Sequence, residues 1–299
     1  MKLDYLLLDV FTREPLKGNQ LAVVCKADGL LDGEMQAIAR EFNLSETIFI
    51  SKPQGERNTA SVRIFTPGVE LPFAGHPTVG AAVVLGLQNK VTAVRIEERI
   101  GLITALFERN DKRSGEARFS LPQLPVRIAS LDDRAAIALA LGIEREEIGC
   151  GSYQPAVFSA GVDFHLVPVR DAGVLTRINL NMGQWNKTFP HGHNSVYVFT
   201  ETPQESGNDL AARMFAPGMG LVEDPGTGAA AAALIGLLSE HADLGTGQLD
   251  LTLRQGHEMG RPCRITLQLR KENDVLIHGG IGGHAVIVAE GTLDLGNHA

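Results

Sequence analysis

The sequence predicts an α+β protein of two similar domains, each a sheet drawn closely around one buried helix. Three features carry that expectation: short strand-like runs dominate, two helical stretches carry no charge, and the halves of the chain repeat. The strand-like runs are Leu3–Asp9, Leu21–Cys25, Thr47–Ile50, Ser61–Phe65, Val91–Ile96 and Leu102–Glu108 in the first part. Ala156–Ser159, Phe164–Val167, Ser195–Thr200, Gln248–Leu253, Arg264–Leu269, Val275–His278 and Ala285–Ala289 follow in the second. Gly, Pro, Asn and Asp separate them, and they lack a 3.6-residue period. An amphipathic helix starts near Asp32, with Met35, Ile38, Ala39 and Phe42 on one face. Another runs from about Asp132 to Leu141 and stops at Gly142, a common helix end.

The helical stretches Pro77–Leu87 and Pro225–Leu238 are apolar all round, almost to their ends. Such a helix has no solvent face and belongs at the centre of a domain. Its Gly and Ala residues let sheet or backbone approach closely. A length of 299 residues allows one domain or two, and the repeat decides for two. Ser45, Ile48 and Phe49 recur as Ser195, Val198 and Phe199, and Phe65-Thr66-Pro67-Gly68 as Phe215-Ala216-Pro217-Gly218, both at an offset of 150. Pro77, Gly80, Ala81 and Ala82 match Pro225, Gly228, Ala229 and Ala230 at 148. The linker falls near Pro122–Ile128, so the expected domains are 1–122, completed by 286–299, and 123–285.

Composition narrows the partners. A net charge of −8 argues against nucleic acid, which selects basic surfaces. No stretch approaches the ~20 apolar residues that span a bilayer, so no membrane association is expected. Met1–Val10 carries two acidic residues and reads as a strand rather than a signal peptide. Cys25, Cys150 and Cys263 are scattered and odd in number, which fits a reducing cytoplasm.

At the 148 offset His76 aligns with Asp224, each just before the proline that opens an apolar helix. Both are expected as N-caps, with the two helix starts facing one interdomain cleft. Helix N-termini carry unpaired N–H groups and partial positive charge, so they bind anions. Ala74-Gly75 before His76 and Pro225-Gly226-Thr227-Gly228 after Asp224 leave those groups bare, and a small carboxylate is the natural ligand. No GxxxxGK[ST] loop is present to hold a nucleotide. Asp224 alone is equally an ordinary structural cap, whereas histidine is not a favoured one. Glu46 is the third candidate: it opens the run to Ile50, and Val196 stands opposite it in the repeat. A carboxylate beside an apolar strand is costly unless paired or working, though an exposed strand start would also explain it. His191-Gly192-His193 reads as a solvated loop, Gly279–Gly283 as a flexible turn, and His257 and Arg261 as either substrate contacts or surface. No metal site is expected.

Several of these runs resemble the phenazine-biosynthesis PhzF family. They are Lys17-Gly18-Asn19-Gln20-Leu21-Ala22-Val23-Val24, Asn43-Leu44-Ser45-Glu46-Thr47, Arg63-Ile64-Phe65-Thr66-Pro67, Glu70-Leu71-Pro72-Phe73-Ala74-Gly75-His76-Pro77-Thr78 and Glu223-Asp224-Pro225-Gly226-Thr227-Gly228. The likeness continues through Gln255–Pro262 and Gly282–Val288. It implies the diaminopimelate-epimerase fold: two pseudo-equivalent domains, each a mixed sheet curled around a central apolar helix. It also implies an isomerase without metal or organic cofactor, often a homodimer. By resemblance, Glu46 is the proton-transferring acid/base, His76 and Asp224 assist, and Gly75, Gly226, Thr227, Gly228 and Ala229 bind substrate. The family's founding reaction is isomerisation of trans-2,3-dihydro-3-hydroxyanthranilate.

Epimerases of this fold carry a cysteine before each central helix. Here Ala74-Gly75-His76 and Asp224-Pro225-Gly226-Thr227-Gly228 stand in those places, which excludes a two-thiol epimerisation. Where the family has Ala-Thr-Gly-Ser, this chain has Gly226-Thr227-Gly228-Ala229, so one hydroxyl expected on a substrate carboxylate is missing. The expected function is proton transfer within a small carboxylate-bearing cyclic or amino-acid-like substrate, with a neutral His76 beside Glu46. The alternatives are a non-catalytic binding module on the same fold, or a racemase using bases other than thiols.

Overall fold

In the computed structural model, which describes residues 1–191, 194–202 and 209–296, the chain divides into two compact units. The first contains Met1–Pro122 and the stretch from Gly282 onward; the second is Gln123–Ile281. The first unit runs β1 (Lys2–Val10), β2 (Asn19–Val24), α1 (Asp32–Phe42), β3 (Glu46–Ser51), β4 (Ala60–Phe65), β5 (Glu70–Leu71), α2 (Gly75–Asn89), β6 (Ala93–Glu98), β7 (Gly101–Arg109) and β8 (Ser114–Ser120). The second runs β9 (Val126–Ser130), α3 (Arg134–Leu141), β10 (Ala156–Ser159), β11 (Asp163–Pro168), α4 (Ala172–Thr176), α5 (Met182–Thr188), β12 (Val196–Glu201), β13 (Leu210–Ala216), β14 (Leu221–Asp224), α6 (Gly228–His241), β15 (Gly247–Gln255) and β16 (Cys263–Glu272). β17 (Val275–Asp294) starts in the second unit and ends in the first. Among the described residues no helix is long and apolar enough to cross a membrane.

The repeat is one of strand pairing. In the first unit β1–β2 is antiparallel, β2–β3 parallel, β3–β4 and β4–β5 antiparallel, β4–β6 parallel and β6–β7 antiparallel. The pairs β10–β11, β11–β12, β12–β13, β13–β14, β13–β15 and β15–β16 follow the same senses in the same order. A side-chain clamp recurs with them. Arg63 donates to both oxygens of Glu70, at 2.7 Å each, and stacks over Phe65; Arg213 does the same to Glu223, at 2.9 and 2.8 Å, over Phe215.

Each unit closes around its apolar helix. α2 packs on β1, β2, β3, β6, β7 and β8, and α6 on β9, β10, β11 and β16. No polar face remains, so the small residues set how near the sheet comes. A Cβ on Gly86 would lie 2.3 Å from the Phe107 ring, and one on Gly236 would lie 2.6 Å from Phe158. The helix ends are satisfied by the sheet as well. Arg109 of β7 donates to Leu87 O at 3.0 Å, and Lys271 of β16 to Ser239 O and Ala242 O at 3.0 and 2.9 Å. Strand register makes these two cations equivalent. Ala60 and Leu210 pair with Ile96 and Leu253, these pair with Ile103 and Ile265, and Arg109 and Lys271 lie six residues beyond.

The outer helices follow their sequence signals. α1 buries Met35, Ile38 and Ala39 in a cluster with Val24, Phe49 and Phe65, and ends at Asn43 in the left-handed region. Asp133 caps α3 by accepting from Ala136 N–H at 2.9 Å, and Gly142 at φ 67° stops it. In the second unit Trp185 and Phe189 of the α5 segment bury against Val198, Phe215 and α3.

Three expectations are corrected. His76 and Asp224 are not N-caps. Ala74 caps α2, making His76 its second residue and Pro77 its third, while Thr227 caps α6 and Asp224 is the last residue of β14. Proline fits the first helical turn, where its missing N–H is not needed, and equally fits an extended lead-in; the two prolines use different options. Register supplies the true alignment. Ile64 pairs with Leu71 as Met214 pairs with Asp224, and the clamps match Glu70 to Glu223. Across the helix starts the offset is therefore 153, with Pro72 matching Pro225 and Gly75 matching Gly228. The counterpart of Asp224 is Leu71, and that of His76 is Ala229. Next, the boundary between the units falls within the expected linker, after Pro122, but the linker is shorter than Pro122–Ile128 because β9 starts at Val126. Finally, Gly279–Gly283 is a buried part of β17 rather than a turn; glycine weakens a strand without forbidding it.

Two stability predictions follow from the enclosed helices. Alanine gains about 1 kcal/mol over glycine in a solvated helix, but the Gly86→Ala methyl meets Phe107. The variant is expected to lose about 1–3 kcal/mol in urea unfolding. Lys271→Met keeps the apolar stem and leaves two helix-end carbonyls without their donor, a loss of about 1–3 kcal/mol by the same measurement. Arg109 is exposed, and Arg109→Met should lose less.

Candidate active site

The first unit brings Glu46 and His76 together. Parallel pairing of β2 with β3 sets Leu21 opposite Glu46, which places the start of β2 beside the start of β3. His76 is carried in by the first turn of α2. Its Nε2 lies 3.4 Å from Glu46 Oε2, with side-chain exposures of 3% and 13%. Asn19, the buried first residue of β2, sets the tautomer: its Nδ2 donates to His76 Nδ1 across 3.3 Å. The ring proton then sits on Nε2, the nitrogen that approaches the carboxylate at ion-pair distance. A carboxylate and an imidazole so placed can hold or exchange one proton. Gly75 is the buried residue that starts the helix just ahead of His76.

The second unit builds a different arrangement at the matching place. Asp224 is buried at the end of β14, and the Thr227 hydroxyl donates to its Oδ2. Gln255, at the end of β15, organises the rest. Its Nε2 donates to Asp224 O at 2.8 Å and Thr227 Oγ1 at 3.0 Å, while its Oε1 accepts from Thr227 N–H at 3.0 Å and from Tyr197 Oη–H at 2.9 Å. The expectation that glycine leaves the helix start bare is thus corrected at Thr227: a side chain from a distant strand covers its N–H. Gly226 and Gly228 are buried in this lead-in, and Ala229 presents a half-buried methyl as the second residue of α6, where α2 has His76.

The remaining candidates are His191, His193, His257 and Arg261, the last two in the turn that follows Gln255. His191 donates its N–H to Nε2 of His165, at 3.3 Å, while His165 Nδ1 is 2.9 Å from Ser195 O. Burial pulls His165 down to about 4, so that ring is neutral at physiological pH. His193 lies outside the described residues. Among the described residues no group of three or more His, Cys, Asp or Glu could hold a metal. His257 is exposed in the turn after β15, and burial is the main cause lowering its pKa. Sequence reasoning gave no role to Asn19, Tyr197 or Gln255. Asn19 and Gln255 fall within runs that carry the family likeness, but only strand pairing shows what they touch.

Comparison with known proteins places this geometry. Residues 8–291 match the family described as phenazine biosynthesis-like protein, PhzC-PhzF. An uncharacterized isomerase of Mesorhizobium japonicum is 42% identical over 97% of this chain and 98% of its own. Trans-2,3-dihydro-3-hydroxyanthranilate isomerase of Pseudomonas aeruginosa is 32% identical over 96% of this chain and 98% of its own. Among solved structures, a PhzF-family phenazine biosynthesis protein of Bacillus anthracis superposes with TM-score 0.86 at 24% identity, covering 99% of this chain and 100% of that one. A hydroxyproline epimerase of Agrobacterium vitis shares the fold at TM-score 0.63 and 13% identity, over 99% and 94% of the two chains. The chain therefore shares its fold with the hydroxyproline epimerase and belongs to the phenazine biosynthesis-like PhzF isomerase family.

Proposed function

We propose that the protein moves a proton within a small carboxylate-bearing cyclic or amino-acid-like substrate, with Glu46 as the acid–base group. The observation that supports this is the buried Glu46–His76 pair, 3.4 Å apart, with Asn19 setting the imidazole tautomer. Glu46 takes a proton from an acidic C–H beside a conjugated system. The electron pair left behind shifts through the double bonds, and the proton returns from Glu46 to the far carbon. One C–H bond breaks, one forms, and neither protons nor electrons are gained or lost. His76 donates from Nε2–H to the carboxylate and steadies it between the two transfers. The first turn of α2 favours a substrate carboxylate, and the family likeness supports Asp224, held through Thr227, as a partner for a polar substituent of the substrate. Positioned proton transfer of this kind contributes roughly 10²–10⁴-fold.

The name of the Pseudomonas aeruginosa relative makes trans-2,3-dihydro-3-hydroxyanthranilate the first compound to try. The Ala229 methyl, in place of a hydroxyl, supports widening the panel to other cyclic and amino-acid-like carboxylates. Turnover and hydrogen exchange are followed by NMR in deuterated water. Glu46→Gln should slow exchange by about 10²–10⁴-fold; exchange at the unmodified rate would remove Glu46 as the base. Asp224→Asn should lower kcat/KM by about 10–100-fold, chiefly through KM. Stereochemical scrambling without bond migration would identify a racemase and sink the isomerisation.

A further inference from the structure

Strand register aligns one more pair of residues. Ala60 and Leu210 pair with Ile96 and Leu253, and two residues beyond these stand Glu98 and Gln255. Both are buried, and both reach back from the strand after the central helix to that helix's first turn. Gln255 does so as a neutral amide. Glu98 has Oε1 at 2.7 Å from Thr78 Oγ1, which lies 2.8 Å from Ala74 O, the cap of α2. The Thr78 hydroxyl has a single hydrogen. If it goes to the Ala74 carbonyl, the hydrogen between Thr78 and Glu98 must come from Glu98. Glu98 Oε2 has no hydrogen-bond partner among the described residues, a costly position for a charged oxygen.

We propose that Glu98 works as a neutral carboxylic acid and forms with Gln255 a matched pair of positioning residues. Glu98 holds the Ala74–Thr78 turn that carries His76, as Gln255 holds the Asp224–Thr227 lead-in of α6. The role assigned to His76 rests on the proposed function; the protonation of Glu98 does not. Burial is the main cause that pushes the Glu98 carboxyl up to about 8, and the Thr78 hydrogen bond opposes it; no charged group contributes. Across the strand pair Glu98 meets Gly101 of β7, and on α2 it meets Thr78. Its charged chain neighbours are engaged elsewhere, Glu97 with Gln54, Gly55 and Asn58, and Arg99 with Glu70. Ser61 of β4 pairs with Glu97.

The protonation is tested without any substrate. The unfolded chain loses the Glu98 proton in the ordinary carboxylate range, while the folded chain keeps it to about 8. The contribution of Glu98 to stability is then full at low pH and declines as pH rises towards 8. Glu98→Gln has no proton to lose, so its Tm relative to the unmodified protein should climb by several degrees between pH 5 and pH 8. A difference that stays constant over that range means an ionised Glu98 and overturns the proposal. Positioning is read from the imidazole nitrogens of His76 by NMR. Glu98→Leu should shift them and Glu98→Gln should restore them; if Glu98→Leu does not fold, Thr78→Val removes the same link and should produce the same shift. Unmoved His76 signals in the folded variant would overturn the positioning role. Where a substrate is found, Glu98→Leu should lower kcat more than it raises KM, with rescue by glutamine. Absence of turnover in every variant would count against the proposed function and leave both substrate-free results intact.

Discussion

A helix with almost no polar side chains cannot satisfy its own ends, and the architecture of both units follows from that constraint. Four N–H groups at the start and four carbonyls at the end of each central helix need partners from elsewhere. The surrounding strands supply them at equivalent places. Gln255 accepts from the Thr227 N–H at the start of α6, the Glu98–Thr78 link braces the Ala74 carbonyl at the start of α2, and Lys271 and Arg109 serve the ends. Cations at the C-terminal ends also suit the helix dipole. A sheet that meets its helix on several sides and at both ends must curl around it, and glycines such as Gly86 set the spacing. The Arg–Glu clamps then pin β5 and β14, the short strands leading into the helices, to their neighbours β4 and β13.

On this repeated frame, the polar residues proposed for function are the ones that break the symmetry. His76 stands where the second unit has Ala229, and Asp224 where the first has Leu71. Strand register sets Glu46 level with Ser195 rather than with the expected Val196, because Thr47 pairs with Phe65 as Val196 pairs with Phe215. His76 and Asp224 have apolar counterparts in the other unit, and Glu46 has the uncharged hydroxyl of the buried Ser195. Structural devices are duplicated and the proposed functional groups are not, which separates the two kinds of buried polar residue without reference to any ligand.

Much of this frame is legible in the sequence. The amphipathic face of α1, the Gly142 stop and the two uncharged helices are local signals, and each depends only on neighbours in the chain. Phe65 and Phe215 expose the repeat because they lie at equivalent places in β4 and β13. The helix starts are less legible. A proline marks either a first turn or the approach to one, so the match of Pro77 with Pro225 paired residues in different roles and made His76 and Asp224 look equivalent. The partners of the site were hidden for another reason. Asn19 meets His76, and Gln255 meets Thr227, only through strand pairing, and no spacing along the chain reports a register.

The first unit thus contains two buried carboxyl groups in opposed environments. Glu46 faces the His76 imidazole at 3.4 Å, and it keeps slight contact with solvent. Glu98 faces one hydroxyl and is buried, with no hydrogen-bond partner for Oε2 among the described residues. Burial with a single hydroxyl partner favours the neutral form of Glu98, and environments that differ in this way are how one fold can separate a proposed acid–base group from a structural one. The separation matters for a reaction that returns the proton it removes. Proton transfer at Glu46 requires one mobile proton on that carboxyl and no competing charge in the turn that holds His76. A carboxyl kept neutral at position 98 meets that requirement as the amide of Gln255 does in the second unit. The choice of acid over amide is therefore neutral for the turn as long as burial is maintained, and it ceases to be neutral once water reaches Glu98.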